Sequence, residues 1–253
     1  MNLLTSINNP TKYLTNSAPI TLPNPDVWMR FENNLTNSGT NALTNGATSG
    51  SANISFNSTT KKEGSYSLAF TSTGTSQTIY KFPSSGVYQL PNTGSFPGYS
   101  FSLWFYYTSY SDNGTMVQYF VNDYTTTWLL INFQTGTSGL QARFGNAGFN
   151  TSLSTLGISS GSWNHLAFTI QSNGFWIVVI NGTRITSFDT LQTTNLSSMI
   201  QNPPDTTSGR GTFLFGGYNT SAPILWTGFL DSFRVYSSPL TEAQLKQIYA
   251  NGN

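Results

Sequence analysis

The sequence predicts an all-β fold, a sandwich of antiparallel strands followed by one short C-terminal helix. Short segments rich in β-branched and aromatic residues alternate with Gly, Asn, Ser and Pro turns, the pattern of an all-β chain. One convincing amphipathic helix is legible, at the C-terminal end. A chain of 253 residues with no cysteine forms one large core without disulfides, since all-β sandwiches of this length are commonly single domains.

Strands are predicted in chain order from apolar runs and their turn boundaries. They cover residues 27–31, 67–70, 78–82, 100–107, 115–121, 128–133, 140–144, 163–171, 175–181, 183–185, 211–215 and 228–236. Residues 100–105 and 175–180 are apolar on both sides for much of their length, which is typical of strands buried on both faces. The dipeptides Asn173-Gly174 and Asn181-Gly182 are tight-turn signals, so the strands around them form a three-stranded meander.

The C-terminal helix begins with a capping box. Thr241 and Gln244 have the required spacing, and Gly252 is a plausible stop. Leu245 and Ile248 fall on one face, together with Tyr249, and we expect this face to pack on the sandwich.

Residues 1–25 are predicted to form an extended arm, because Pro10, Pro19, Pro23 and Pro25 disfavour helix and remove ladder donors. The arm is either a frayed terminus or a segment that packs on its own sandwich or on a neighbouring subunit. The domain itself is expected to span 26–253.

The composition argues against several partners. Charged residues are 8% of the chain and the formal net charge is +1, with no cluster of Lys or Arg for nucleic acid or an anionic membrane. No stretch approaches the roughly 20 apolar residues of a membrane-spanning helix, and we expect no membrane insertion. The first residues show no legible secretory signal, so the protein is made without classical secretion or its signal has been removed.

Ordered motifs along the chain resemble the laminin-G-like branch of the concanavalin A-like lectin/glucanase family. They lie at residues 27–34, 64–70, 99–105, 161–167, 180–183 and 228–240. Residues 161–167 are similar to the family's Trp-x-His-Val-Ala strand, for example. Residues 228–236 are similar to Gly-x-(Ile/Leu)-Asp-Glu-x-Arg-(Ile/Val)-Tyr, except that Ser232 stands where members commonly carry Glu. The resemblance implies a two-sheet antiparallel jelly roll with one concave sheet, and it does not fix a function.

The sequence predicts a protein that is not an enzyme. Glycosidases of this fold present carboxylates on alternate residues of one strand, and no two of the nine acidic residues have that spacing. The single histidine, His165, lies inside a predicted strand and is interpreted as structural. No Gly-x-Ser-x-Gly elbow accompanies it.

No cofactor is predicted, although calcium is a frequent companion of the family. Asp112 and Asp123 are the weak loop candidates for calcium, and plain turns are the alternative interpretation. Asp231 and Arg234 are expected to form a structural hydrogen-bonded pair.

Aromatic residues near polar loops are the predicted contact site for a partner or a glycan, because a ring offers a flat apolar face at low entropy cost. The candidates are Tyr107, Tyr110, Tyr124, Trp128 and Tyr218.

The leading hypothesis for function is a non-enzymatic structural or attachment protein of a larger particle. A viral minor capsid or surface component on a virion fits the neutral Asn, Ser and Thr-rich surface and the predicted arm, and its partners would be other protein subunits and possible glycans. The alternative is a secreted or cell-surface carbohydrate-binding or adhesion module, placed at the extracellular surface.

Overall fold

The computed structural model describes residues 19–43, 45–49, 54–71, 79–83, 88, 97–111, 114–122, 126–136, 139–144, 147–189, 211–217 and 226–252. These residues form two antiparallel sheets and a C-terminal helix. The predicted jelly-roll sandwich is confirmed.

The elements are given in chain order. The strands are β1 (Val27–Met29), β2 (Ala47–Ser49), β3 (Ile54–Asn57), β4 (Ser67–Phe70), β5 (Ile79–Phe82), β6 (Gly98–Tyr110), β7 (Gly114–Asn122), β8 (Thr126–Gln134), β9 (Gly139–Phe144), β10 (Ala147–Ser152), β11 (Trp163–Gln171), β12 (Trp176–Ile180), β13 (Thr183–Arg184), β14 (Thr212–Phe215) and β15 (Trp226–Tyr236). A 3-10 turn covers Thr186–Phe188, and helix α1 covers Glu242–Asn251.

Within the described residues, the eight-stranded sheet has the order β13-β12-β11-β6-β15-β4-β3, and β1 also pairs with β15. The seven-stranded sheet has the order β10-β9-β8-β7-β14-β5-β2. Every pairing is antiparallel, and β11, β12 and β13 form the expected meander. Strands β2, β3 and β10 were not among the sequence predictions.

The core lies between the two sheets because alternate residues of each strand point to the same face. In β6 the inward residues are Tyr99, Phe101, Leu103 and Phe105, each 1% exposed or less. Inward residues of the opposite sheet include Leu129, Ile131, Phe133, Leu140, Ala142, Phe144, Phe213 and Phe215.

Helix α1 covers part of the outer face of the eight-stranded sheet. Leu245 and Ile248 are buried there against Ala167, Val179 and Tyr236. The predicted capping box is present: Thr241 Oγ1 accepts from the Gln244 amide, and the Gln244 side chain accepts from the Thr241 amide. Both predictions for the helix are confirmed.

Residues 19–25 of the arm lie on the chain's own domain. Gln244 Nε2 donates to the Thr21 carbonyl over 2.9 Å, and Leu22 packs against the cluster beneath α1. Residues 1–18 lie outside the described residues.

Strand β15 is interrupted in its middle. Its register with β6 shifts between Asp231 and Arg234, and Ser232 adopts a positive φ of 49°. On the other side, Gly228–Leu230 pair with β4 and Phe233–Val235 pair with β1. The β-bulge therefore lies where the neighbouring strand changes.

Candidate functional site

Of the aromatic residues predicted to contact a partner, the structure describes the side chains of Tyr107 and Tyr110. Tyr107 is an inward residue of β6, 7% exposed, with its ring centroid 5.0 Å from that of Phe133. Tyr110 is half-buried and stacks on the same Phe133 at 4.6 Å. Tyr107 is therefore a core side chain rather than an exposed platform, because it continues the inward-facing row of β6.

The remaining aromatic candidates are not tested by the described structure. Trp128 lies in β8, but its side chain is outside the described part of the chain, as are Tyr124 and Tyr218. The weak calcium candidates Asp112 and Asp123 also fall outside it, and their role stays a prediction.

A buried polar cluster lies on the outer face of the eight-stranded sheet. Glu63 Oε2 accepts from Arg234 Nη2 at 2.6 Å and from Ser232 Oγ at 2.7 Å, and Glu63 Oε1 accepts from Trp104 Nε1 at 3.1 Å. Trp28 Nε1 donates to Ser232 Oγ at 2.9 Å. Residues of three of the motifs, at 27–34, 99–105 and 228–240, thus meet in one structural cluster, and Glu63 supplies a carboxylate at the bulge, where Ser232 stands in place of the Glu that is common in the similar family.

The expected pair between Asp231 and Arg234 is wrong. Asp231 Oδ2 accepts from the backbone amides of Lys62 and Glu63 at 2.9 and 3.0 Å, while Arg234 pairs with Glu63. The bulge at Ser232 explains the difference, because the loop at 62–63 fits beside it. The two backbone amides of this loop bind Asp231, and the Glu63 side chain binds Arg234.

Asp231 and His165, both buried on this face, have opposite pKa shifts. Burial raises the pKa of Asp231 to about 7, with the Lys62 and Glu63 amides lowering it and the charge of Glu63 adding to the rise. Burial lowers the pKa of His165 to about 3, and the positive charges of Arg234 and Lys62 add to this effect. His165 Nε2 lies 2.9 Å from Ser102 Oγ, and its ring is closed off from solvent.

Each acidic side chain that the structure describes has a structural partner. The pairs are Asp26 with the Ser237 amide, Glu32 with the Ser65 amide, Glu63 with Arg234, Asp189 with Arg184, Asp231 with two amides, and Glu242 with Arg184 and Lys246. Asp112, Asp123 and Asp205 lie outside the described residues.

A polar cavity opens on the outer face of the seven-stranded sheet, at its β9–β10 edge. We call it the outer-face cavity. It has a volume of 230 Å³ and is lined by Gln141, Arg143, Gly148, Phe149 and Asn150. The strand register places Gly148 opposite Arg143 and Asn150 opposite Gln141, so two amides and a guanidinium share one sheet face.

Gly148 allows β10 to approach β9 closely at this cavity. A Cβ atom at this position would lie 2.2 Å from the Ala142 carbonyl oxygen and 2.7 Å from the Arg143 Cα. Neither atom can move aside, because both belong to the backbone of the paired strand.

The Arg143 guanidinium has no carboxylate partner among the described residues, in contrast to Arg184 and Arg234. Gln141 is oriented by its neighbour, since Gln134 Nε2 donates to Gln141 Oε1 at 3.5 Å. Planar donors of this kind make paired hydrogen bonds to vicinal oxygens. The outer-face cavity is therefore equipped to bind a hydroxyl-rich or carboxylate-bearing ligand.

A second cavity adjoins the first at the edge of the sandwich. This edge cavity has a volume of 270 Å³ and shares Gly148, Phe149 and Asn150 with the outer-face cavity. The 3-10 turn Thr186–Phe188 forms its other side, and the Phe188 ring stacks on Phe149 at 4.3 Å.

Arg184 fixes the position of this turn. It makes a two-point ion pair with Asp189, with Nη2–Oδ2 at 2.9 Å and Nε–Oδ1 at 3.2 Å, and a further pair with Glu242 of α1 at 2.6 Å. Residues on both sides of the turn are thereby tied to the C-terminal helix.

Sequence reasoning missed the residues of both cavities. Strand β10 contains a single large apolar residue, Phe149, so it shows no alternation that would identify it. The dipeptide Gly145-Asn146 between β9 and β10 was the available signal, because it is a hairpin-turn pair.

Within the described residues, no helix has the length and apolar character needed to cross a membrane. No group of three His, Asp or Glu side chains in that part of the chain is close enough together to hold a metal ion.

The described chain is a two-sheet antiparallel β-sandwich with a polar cavity on the outer face of one sheet. A family model described as "Concanavalin A-like lectin/glucanases superfamily" matches residues 82–246. The chain belongs to this superfamily. Among curated proteins, none matches the chain.

Solved structures share the fold at low sequence identity. Domain 4 of a GH43 extracellular arabinanase from Geobacillus stearothermophilus, in complex with arabinotriose, matches with a TM-score of 0.58 and 19% identity, covering 89% of this chain and 98% of that one. The binding domain of botulinum neurotoxin DC in complex with rat synaptotagmin II matches with a TM-score of 0.59 and 13% identity, covering 91% of this chain. The same binding domain in complex with SialylT matches with a TM-score of 0.60 and 14% identity.

The chain spans about half of the botulinum chains, 52% and 51% of their length. These similarities show the shared fold.

Proposed function

We propose that this protein is a non-enzymatic carbohydrate-binding module whose glycan site is the outer-face cavity. The observation that carries the proposal is the set of planar donors and acceptors on one open sheet face: Gln141 and Asn150 are paired opposite each other and lie beside Arg143, whose charge no described carboxylate neutralises. Sugar hydroxyls are matched by such amide and guanidinium groups. Structural neighbours in complex with arabinotriose and with SialylT support this use of the fold.

The structural roles of the acidic residues support a binding role without hydrolysis. Glycoside hydrolysis needs two carboxyl groups flanking the scissile bond. Among the described residues, no acidic side chain lines either cavity, and the described carboxylates are held by amides or cations.

The packing of residues 19–25 on their own domain favours this module over an arm that joins subunits. Thr21 and Leu22 contact α1 and the cluster beneath it. Assembly into a viral or other particle, and the extracellular or virion location, stay predictions.

A glycan array with the purified full chain tests the proposal, followed by calorimetric titration of the glycans retained. Arg143→Gln and Gln141→Ala are each expected to lower affinity about tenfold or more. The hydrogen bonds that each variant loses are worth roughly 1.4 kcal/mol or more in total. Lys61→Ala is the matched control, since Lys61 is an exposed cation that donates to the Ser58 carbonyl on a distant loop. Retention of no glycan, or equal affinity in all variants, would overturn the proposal.

A further inference from the structure

The edge cavity is lined by a residue whose buried donor has no acceptor among the described residues. Trp176, the first residue of β12, lines this cavity and is 2% exposed, and its Nε1 has no hydrogen-bond partner in the part of the chain that the structure describes. Three other indoles have acceptors: Trp28 donates to Ser232, Trp104 to Glu63 and Trp226 to the Thr115 carbonyl. An unpaired buried N–H is unfavourable, so a ligand oxygen that reached this atom would gain a hydrogen bond that the described residues do not make.

The walls of the edge cavity suit a sugar ring. Phe149 and Phe188 form a parallel aromatic pair, with an interplanar angle of 12°, and Phe188 is only half-buried. Ser187 and Thr151 bring hydroxyl groups to the same cavity. A flat apolar wall beside polar donors and acceptors is the combination that binds the C–H face and the hydroxyl groups of a pyranose or furanose.

The size and position of the edge cavity set the length of the ligand. Its 270 Å³ lies just below the range of about 300–1,000 Å³ for drug-sized ligand pockets, which leaves room for one sugar ring. Gly148, Phe149 and Asn150 also line the outer-face cavity. A chain of two or more rings can therefore pass over Asn150 from one cavity to the other.

Packing against a neighbouring ring fixes the position of the Trp176 indole. One of its faces stacks on Phe168, with centroids 5.3 Å apart and an angle of 13°. Strand β13 pairs with Val179 and Ile180 only, so within the described residues no strand of the eight-stranded sheet covers the side of β12 next to Trp176.

We propose that the edge cavity is a second subsite of the glycan site, in which an oxygen of one sugar ring accepts a hydrogen bond from Trp176 Nε1. The protein then binds an oligosaccharide of at least two rings across strand β10. This inference rests on the proposed function, which assigns the first ring to the outer-face cavity.

Nuclear magnetic resonance of the ¹⁵N-labelled full chain tests the second subsite directly. The indole N–H signal of Trp176 is assigned by its loss in Trp176→Phe. The probes are arabinotriose and sialyllactose, each compared with its constituent monosaccharides. We expect at least one trisaccharide to shift the Trp176 signal at saturation and to bind about tenfold more tightly than any of its monosaccharides.

Variants separate the two cavities. Phe188→Ala removes an aromatic wall from the half-exposed 3-10 turn, so it avoids the core change of Trp176→Phe, and Arg143→Gln affects the outer-face cavity alone. We expect both to weaken trisaccharide binding, and Phe188→Ala to reduce the affinity advantage of the trisaccharide over its monosaccharides.

Two results would overturn the second subsite while leaving the proposed function intact. One is a Trp176 signal that neither trisaccharide shifts. The other is a trisaccharide affinity that depends on Arg143 but is equal in wild type and Phe188→Ala. If Arg143→Gln changes nothing and the array retains no glycan, the proposed function fails and the second subsite fails with it.

Discussion

Asp231 and His165 lie on opposite sides of Trp104 on the outer face of the eight-stranded sheet. The register pairs Trp104 with His165 of β11 on one side and with Asp231 of β15 on the other. Both side chains are fully buried, and burial shifts their pKa values in opposite directions, to about 7 for Asp231 and to about 3 for His165. Folding therefore takes up a proton at one group and releases one at the other.

The first prediction concerns the pH dependence of stability. The pKa of Asp231 rises from 3.8, so its contribution is complete below pH 3.8 and is lost as pH rises through about 7. The pKa of His165 falls from 6.5, so its contribution is complete above pH 6.5 and is lost as pH falls towards 3. The two slopes oppose each other, and we expect the free energy of unfolding of the wild type, from urea titrations, to be nearly flat between pH 4 and 6.5.

Single variants should reveal each slope. Asp231→Asn keeps an acceptor for the Lys62 and Glu63 amides, and its stability should fall as pH decreases from 6.5, at a rate approaching 1.4 kcal/mol per pH unit. His165→Gln should show the reverse, gaining stability as pH decreases from 7 to 4. Parallel profiles for both variants would contradict the assignment.

The second prediction is that Glu63→Gln destabilises the protein by about 1.5–3 kcal/mol, the range for hydrogen bonds to charged groups. The amide cannot accept from Arg234, Ser232 and Trp104 together, and the largely buried Arg234 loses its counter-charge. Glu242→Gln is the matched control, because the Glu242 side chain is 31% exposed and should contribute within about 1 kcal/mol. Equal effects in urea unfolding would show that the Glu63 cluster has no special role.

The third prediction concerns the start of α1. Thr241→Ala removes the side-chain acceptor for the Gln244 amide and should lower stability by about 1 kcal/mol. Ser238→Ala, at an exposed position just before the helix, should stay within about 0.5 kcal/mol of the wild type. Thermal and urea unfolding of both variants would measure the difference.

The fourth prediction separates the position of the 3-10 turn from overall stability. Arg184→Gln removes the pairs with Asp189 and Glu242, which are partly exposed and contribute about 1 kcal/mol or less. The turn that holds Phe188 should then lose its fixed position. Trisaccharide affinity, measured by calorimetry, should therefore fall several-fold even though the free energy of unfolding changes little. Unchanged affinity would show that the position of Phe188 does not depend on Arg184.

The fifth prediction uses two glycines of neighbouring hairpins. Gly148→Ala forces a Cβ against the Ala142 carbonyl oxygen at 2.2 Å, so we expect a loss of about 1–3 kcal/mol together with loss of glycan binding. Gly136→Ala places its Cβ in open space and should be nearly neutral for both properties. Calorimetry and urea unfolding of the pair would decide whether the close approach at Gly148 is needed.

Periodicity in the sequence identified the strands that build the core. The alternation of Tyr99, Phe101, Leu103 and Phe105 and the apolar run at 175–180 predict buried strands, because their environment is set by the pleat. The ends of the elements were less predictable. Strand β6 extends to Tyr110, beyond the expected end at 107, because its last residues still pair with β15.

The candidate site was not predictable in the same way. Polar residues such as Gln141 and Asn150 become neighbours only through the β9–β10 register, and no apolar pattern marks β10. The aromatic candidates had the opposite difficulty: Tyr107 looks like a contact residue in sequence, yet its position in the inward row of β6 places it in the core.

The interrupted strand β15 has a consequence for the order in which the chain can fold. It pairs with β6 on one side and with β4 and β1 on the other, and Trp28 and Ser232, which hydrogen-bond, are 204 positions apart. During synthesis on a ribosome, the eight-stranded sheet cannot close until this strand has emerged, because it fills the gap between β6 and β4. Such long-range pairing is typical of slow folding, and a nascent chain that stops before residue 226 would leave the edges of β4 and β6 open to pairing with other chains.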